Sequence, residues 1–531
     1  MAIINLTKDT VPETEYDICI VGSGPAGLTL ARELTIQGKQ ICVLESGHER
    51  KTSYADKLRE VKSSGEISIK TSSRERILGG TSTTWAGLSA PLDEIDFAHW
   101  PITSLDLKPY YEKAHEYGFP SLKDFEISAL DTVRKTGDIS FNFKNLEEKV
   151  FIAMDPPWNF GKKLRHIFDL PTADLYLDAT VTKINSGGSG HIDSLTINSS
   201  VGKIATVHAK KFVIAAGGVE STRLLLASHI GNEHNVVGKY LTNHPKASFG
   251  IIRLNKKIKN LPHLFGYLHN GKSEYAGLRL KETKGRSQNT LNSYLRFEPM
   301  FPWTDNRGVE AVIVIMKKTK VFLEWWKKKQ KKLIHLRDWN ETGDDRPDRI
   351  KKESLEWFSL CLAIIKNIPA VCAYSVHRLF PKKEIYIKSI RIRNFMDMEP
   401  RGENKMWLGD TKDSFGIPLP EVSLTTSTRD QQSLIDLHRE LRDELARENL
   451  GILEGNLETI KPWPIIADAS HHLGGTIMGN DPKISVVDKN LKVHSIDNLY
   501  IVSGSVFPTS GCANPTYTIC ALALRLAEHL S

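Results

Sequence analysis

The feature that most constrains the fold is the run Ile18-Cys19-Ile20-Val21, followed at once by Gly22-Ser23-Gly24-Pro25-Ala26-Gly27. Four consecutive apolar residues suit a buried strand, and the "LTLARELTIQ" that follows the glycines sets apolar positions at helical spacing. Residues 41–44 read as a second strand, so the chain opens on a βαβ unit. In such a unit the first glycine permits a tight turn and the second lets a pyrophosphate approach the backbone. The third lets helix pack on strand, while the helix N-terminus offers N–H groups and positive dipole. Glu45, eighteen residues past Gly27, stands where a carboxylate accepts hydrogen bonds from a ribose hydroxyl. That carboxylate suits the adenosine ribose of FAD as well as that of NAD.

At 531 residues the chain exceeds what one compact core organises, so two domains, or one with large insertions, are expected. A second strand, glycine turn and helix unit occupies 210–228, "LYLDATVTKINS" and "IDSLTINS" read as strands, and the last 70 residues return to the opening style. The stretch from about 250 to 460 is richer in aromatic and charged residues and ends in the helical pattern "RDQQSLIDLHRELRDELARENL". The expectation is an FAD- or NAD-type Rossmann-like α/β domain at 1–250, an inserted α+β substrate domain at 251–460, and a return to the first domain at 461–531. The runs "FVIAAGG" (212–218) and "LYIVSGS" (499–505) are apolar strands ending in small residues, as expected where a chain skirts a large flat cofactor. They favour FAD.

The opening residues lack a basic segment leading into an apolar run and a small-residue cleavage site, so no secretory signal is read and a cytoplasmic location is expected. Six cysteines without a C-x-x-C pair argue against disulfides and zinc, and no metal site is expected. The formal charge of +8 does not imply nucleic acid, because residues 317–332 alone hold eight lysines and one glutamate, 8 − 1 = +7. On a helix, Phe322, Trp325, Trp326, Leu333 and Leu336 would lie opposite Lys327, Lys328, Lys331 and Lys332. Segment 317–336 is therefore a surface helix packed on the substrate domain, a peripheral membrane contact at the inner face of the membrane, or a site for an acidic protein. The apolar run "FSLCLAIIKNIPAVCAY" is broken by Lys366, Asn367 and Pro369 and is not expected to span a membrane.

A neutral imidazole is the natural general base near pH 7. The adjacent His471 and His472 both qualify; in extended backbone their side chains point apart, so one alone faces the reacting centre. Asn514, directly before Pro515, has the look of a helix N-cap.

The motifs "VGSGPAG", "LGGTSTTW", "AAGGVESTRLLLAS", "VGKYLTNHP", "HLGGTIMG" and "VFPTSGCANPTYTICALALRLAEHL", in that order from residue 21 to 530, resemble the glucose-methanol-choline (GMC) oxidoreductases. "STTW" and "HLGGT" look most like the pyranose 2-oxidase arm. The resemblance implies FAD on a glutathione-reductase-like domain, bound by Gly22, Ser23, Gly24, Ala26, Gly27, Glu45, Gly79, Gly80, Thr81, Thr84, Ala86, Val181, Ala216, Gly217, Ser505, Asn514 and Thr516. It implies oxidation of a CH–OH group of a sugar or amino-sugar-like alcohol, with His472 as base and Asn514 facing it across the substrate oxygen. His471 then packs or makes a local hydrogen bond. It also implies that the helix from Pro515 aims its N-terminus at the flavin N1 and C2 carbonyl. Thr84 stands where pyranose 2-oxidases carry a histidine bonded covalently to the flavin, so non-covalent FAD is expected; Ala86 replaces a threonine associated with flavin reactivity. Oxygen, a quinone or a protein are all open as electron acceptor, and a lyase keeping FAD for structure is the competing reading.

Overall fold

The computed structural model describes residues 2–12, 14–130, 138–139, 141–154, 156–188, 190–259, 262–269, 272–284, 289–318, 357–379 and 386–531. Strand Glu15–Val21 lies in the middle of a sheet ordered Ala2–Asn5, Ala173–Leu177, Ile41–Leu44, Glu15–Val21, Ile204–Ile214, His191–Asn198, Thr180–Gly188. The first five run parallel, Leu499–Ile501 adds parallel to Ile204–Ile214, and the last two turn back antiparallel. The central parallel strands Glu15–Val21 and Ile41–Leu44 are buried almost throughout, and helix Pro25–Ile36 packs on both. Helix Pro25–Ile36 buries Leu28, Leu30 and Leu34, and helix Pro515–His529, which buries Leu522, Leu524 and Leu526, packs against it. Proline opens both helices, where its missing N–H costs nothing.

A second, antiparallel sheet is ordered Gly451–Glu454, Lys246–Ile258, Ile387–Phe395, Tyr294–Met300, Lys272–Leu280, Leu146–Met154, Leu88–Ser89. Helix Thr428–Arg447 covers one face: Leu434, Leu437, Leu441 and Leu445, at helical spacing, share a core with Ile252, Leu295 and Ile390. Ser427 and Asp430 close a capping box at its start, the two side chains satisfying each other's backbone N–H groups. The other face looks onto the cavity described below.

The sheet departs from the expected boundary at residue 250. Leu88–Ser89 and Leu146–Met154 belong to the second sheet, the latter registered against the next strand from Lys272↔Met154 to Leu280↔Leu146. Reading sequence continuity as spatial continuity hid this, because an antiparallel sheet takes partners from anywhere in the chain. A small third sheet joins Lys405–Lys412, Pro418–Ser423 and Lys62–Ser63.

Of the basic segment 317–336, the first two residues end helix Arg307–Lys318 and the rest, from 319 on, lies outside the described residues. Among the described residues no single helix is long and apolar enough to cross a membrane; Trp357–Lys366 and Ile368–His377 together pass by composition but meet at 87°.

Candidate functional site

A cavity of about 640 Å³ runs between the parallel sheet and the open face of the antiparallel one. It begins at the first glycine turn. Gly22 takes φ +101°, and a Cβ there would sit 2.7 Å from the Ala215 carbonyl. Gly27 is held still closer: its Cβ would lie 2.0 Å from the Gly22 carbonyl, so only glycine lets this helix approach this strand. Gly24 is the reverse case, since a Cβ there would meet no protein atom within 4 Å and would project into open space. Glu45 is buried beside it, accepting from Ser23 N (3.1 Å), Ser23 Oγ (2.5 Å) and Gly47 N (2.7 Å).

Ser23, Ala26, Gly80, Thr81, Thr84, Ala86, Val181, Ala216, Gly217, Asn514 and Thr516 border the same cavity, as do Gly22, Gly24, Glu45 and His472. Three expected cofactor contacts do not. Gly27 serves helix–strand packing; Gly79 is spent on the turn, its N–H donating to the Ser23 carbonyl (3.0 Å). Ser505 is fully buried, its hydroxyl paired with Thr476 Oγ1 (2.6 Å) and Ser503 Oγ (2.7 Å), and its neighbours Ser503 and Gly504 border the cavity instead.

At the far end Asn514 opens the helix Pro515–His529, but its side chain makes no capping bond. It lies instead 3.2 Å from His471 Nε2. The expected pairing of His472 with Asn514 is therefore corrected: His471 is the imidazole that meets the amide. The reason is register. Thr242 and Leu473 exchange both backbone hydrogen bonds (2.9 and 3.1 Å) across an antiparallel bridge, which places His244 and His471 opposite each other, two residues on along each strand. Alternation then turns His472 the other way, to Asp468 Oδ2 (3.4 Å) and Ser73 Oγ (3.3 Å).

A directed hydrogen-bond chain results. The Ser510 carbonyl can only accept, so His244 Nε2 (3.3 Å away) carries hydrogen. In a neutral ring His244 Nδ1 then accepts from His471 Nδ1–H at 2.7 Å. His471 Nε2 is left with a lone pair directed at Asn514. Burial pushes His244 down to about 4. Burial, with the charges of His244 and Lys246 adding to it, holds His471 well below the ordinary histidine value. Both rings are thus neutral at pH 7. Burial alone would raise Asp468, but the hydrogen bond and charge of His472, with bonds from Asn243 and the Lys70 N–H, hold it well below the usual carboxylate range.

The sequence reading gave no role to His244, although it stands in the quoted "VGKYLTNHP"; its partner lies 227 positions away. Asp468, four residues before His472, belongs to no motif. A buried cluster on the cavity wall was missed too: Glu220 amid Arg74 (2.5 Å), Arg76 (2.8 Å) and Arg223 (3.5 Å). Burial would raise Glu220, but the three guanidinium groups bring it down to about 2.

A glycine-floored turn, a helix N-terminus at each end and a flanked parallel sheet carrying an inserted antiparallel one make this a dinucleotide-binding α/β protein with a separate substrate-facing sheet. Family models agree: FAD binding domain matches residues 15–58, and GMC oxidoreductase matches 164–246 and 400–523. The chain belongs to the GMC oxidoreductases and binds FAD. It is 22% identical to 2-methyl-1,2-propanediol dehydrogenase of Mycolicibacterium austroafricanum over 98% of this chain and 96% of that protein. It is 37% identical to the fructose dehydrogenase large subunit of Gluconobacter japonicus, over 24% of this chain and 23% of that one, so this match spans about a quarter of the relative's length. Pyridoxine 4-oxidase from Mesorbium loti shares the fold, with a TM-score of 0.57 at 14% identity over 97% of this chain and 99% of that one.

The residues fit the cofactor. Gly24 leaves room for a pyrophosphate at a helix N-terminus that no side chain caps, and Glu45 retains acceptor capacity for a ribose hydroxyl. The second uncapped helix, at Pro515, faces the same cavity and would stabilise negative charge on the flavin.

Proposed function

We propose that the protein oxidises a CH–OH group of a sugar-like alcohol to the carbonyl, with His471 as the base. The observation that carries this reading is the contact between His471 Nε2 and Asn514 at the mouth of an uncapped helix in the FAD cavity. The substrate class is supported by relatives named for a sugar and a diol. Bound FAD supplies the acceptor for the hydride.

Each remaining task falls to a residue. The Asn514 amide carries two hydrogens; one faces His471 and the other is free to hold the alcohol oxygen beside the base without titrating. His471 Nε2 takes the hydroxyl proton as the C–H bond breaks. The Nδ1–H bond to His244 keeps that nitrogen unprotonated beforehand and spreads the positive charge afterwards. Thr84, a hydroxyl side chain on the cavity wall, cannot form a histidyl linkage, and FAD is held non-covalently.

Anaerobic mixing of the FAD-loaded protein with a panel of sugars, polyols and simple alcohols tests the reading through bleaching of the flavin band. His471→Ala is expected to slow bleaching by about 10²–10⁴-fold, and His472→Ala by less than about tenfold. The reverse ranking moves the base to His472. Turnover with the band unchanged replaces oxidation by a lyase.

A further inference from the structure

Strand Tyr294–Met300 of the antiparallel sheet leads to three helices that pack on one another, Arg307–Lys318, Trp357–Lys366 and Ile368–Leu379. Their inner side is ordinary. Trp303, Val309 and Tyr374 form a small core, the His377 ring stacks 5.2 Å from that of Trp303, and Leu360 is buried. Asn367, at the corner between the last two helices, donates to the Ala363 carbonyl (2.8 Å) and accepts from Asn306 Nδ2 (3.0 Å). Gly308 lets the first helix come this close, since a Cβ there would lie 2.5 Å from that of Asn367.

The outer side is reversed. Phe358, Leu362 and Ile365 recur at helical spacing, and Ile368, Cys372 and Val376 do so on the next helix, where a surface helix carries polar groups. All six are exposed, Phe358 at 76% and Ile365 at 62%. Lys366 is the only Lys, Arg, Asp or Glu from Trp357 to His377.

A short helix this apolar is a buried core helix or a segment that lies in a membrane interface. Its exposure excludes the first. At ten residues, about 15 Å, Trp357–Lys366 reaches about half of a hydrocarbon core, and the 87° bend keeps it and the next helix from acting as one span. Protein interfaces ring their apolar centre with polar, hydrogen-bonding side chains, whereas these stripes have a single charge beside them. Charge decides between a bilayer and a second copy of this chain. Residues 317–332, with eight lysines and one glutamate, lead along the chain from the first of the three helices toward the second. Two copies meeting here would bring like charges together; an anionic leaflet attracts them.

We propose that this face docks on an anionic lipid bilayer, with Phe358, Leu362, Ile365 and Ile368 among the acyl chains and Lys366 reaching back to the headgroups.

The test mixes the FAD-loaded protein with vesicles of phosphatidylcholine, alone or with phosphatidylglycerol, and reads co-sedimentation. The mixed vesicles are expected to bind at lipid concentrations at least about tenfold below phosphatidylcholine alone, and less well as sodium chloride is raised. Phe358→Ser and Ile365→Ser should each raise the lipid concentration needed by at least about tenfold. Tm and FAD content should hold in both, because the two side chains are exposed. A second readout needs no variant. Cys361 and Cys372 are exposed and the other cysteines buried, so a charged maleimide should label these two in the free protein and slow at both when mixed vesicles are added. No co-sedimentation with either vesicle, binding unchanged in both variants, or thiols as reactive with mixed vesicles as without them overturns the proposal. Equal binding to the two kinds of vesicle overturns the choice of an anionic surface. Thiols already protected without lipid also overturn it: in a dimer the face joins two copies, and in a monomer a segment of this chain covers it.

Discussion

Replacing His244 by leucine isolates what orients His471, the proposed base. His244 is 3% exposed, its ring stands at 84° to that of His471, and its Nδ1 accepts the His471 Nδ1–H at 2.7 Å. Leucine removes that acceptor and strands a buried donor, a cost of about 1–3 kcal/mol. His471 escapes the cost by moving its hydrogen to Nε2, with the Asn514 amide turning its oxygen to receive it. The ring then presents a hydrogen where the alcohol proton must arrive. At about 1.4 kcal/mol per factor of ten, the productive tautomer falls to roughly a tenth to a hundredth. Flavin reduction at saturating substrate should slow by the same factor, with the half-saturating concentration changing less than about threefold. His244→Gln offers an amide oxygen in place of Nδ1 and should recover part of the loss, which a merely structural role would not produce. Stopped-flow bleaching, with FAD content and Tm as folding controls, decides it. In the unaltered protein the acid limb of the rate lies below pH 6.5, because burial holds His471 down. A wild-type rate in His244→Leu, or glutamine no better than leucine, refutes the relay.

Two glycines of one motif should fail in different ways. Gly27→Ala puts a Cβ 2.0 Å from the Gly22 carbonyl and should cost about 1–3 kcal/mol of stability, read as a lowered Tm without FAD. Gly24→Ala meets no protein atom and has ordinary backbone angles (φ −72°), so Tm without FAD should hold while FAD affinity drops; unchanged affinity would remove the pyrophosphate from this turn. A third expectation concerns acid. Burial lowers His438, on helix Thr428–Arg447, to about 3, so the unfolded chain binds a proton below pH 6.5 that the folded one refuses. The stability this ring contributes is whole above pH 6.5 and is lost at about 1.4 kcal/mol per pH unit as pH falls toward 3. Denaturant melts at pH 7 and 4.5 should show His438→Gln losing about 2–3 kcal/mol less than the parent over that interval; equal losses would show that the ring titrates normally.

What could be read in the chain and what could not divide along one physical line. Ile18–Gly27, the strand and helix at 210–228, and the Pro515 helix are local: strand, turn and helix start are written within a dozen residues, and these elements fold as read. The site is not local. Choosing between His471 and His472 requires knowing that Thr242 bridges Leu473, a pairing across 231 positions that no periodicity announces. The loop also bends at Ser470 (φ +68°), where Asp468 Oδ1 takes the Ser470 N–H, so alternation along the histidines could not be carried in from the residues before them. The contact with Asn514 therefore falls one residue before the motif's histidine, and in extended backbone one residue reverses the face. Cofactor binding was legible because backbone near the turn performs it. The His471–Asn514 contact was not, because it joins side chains from segments that meet only in the fold.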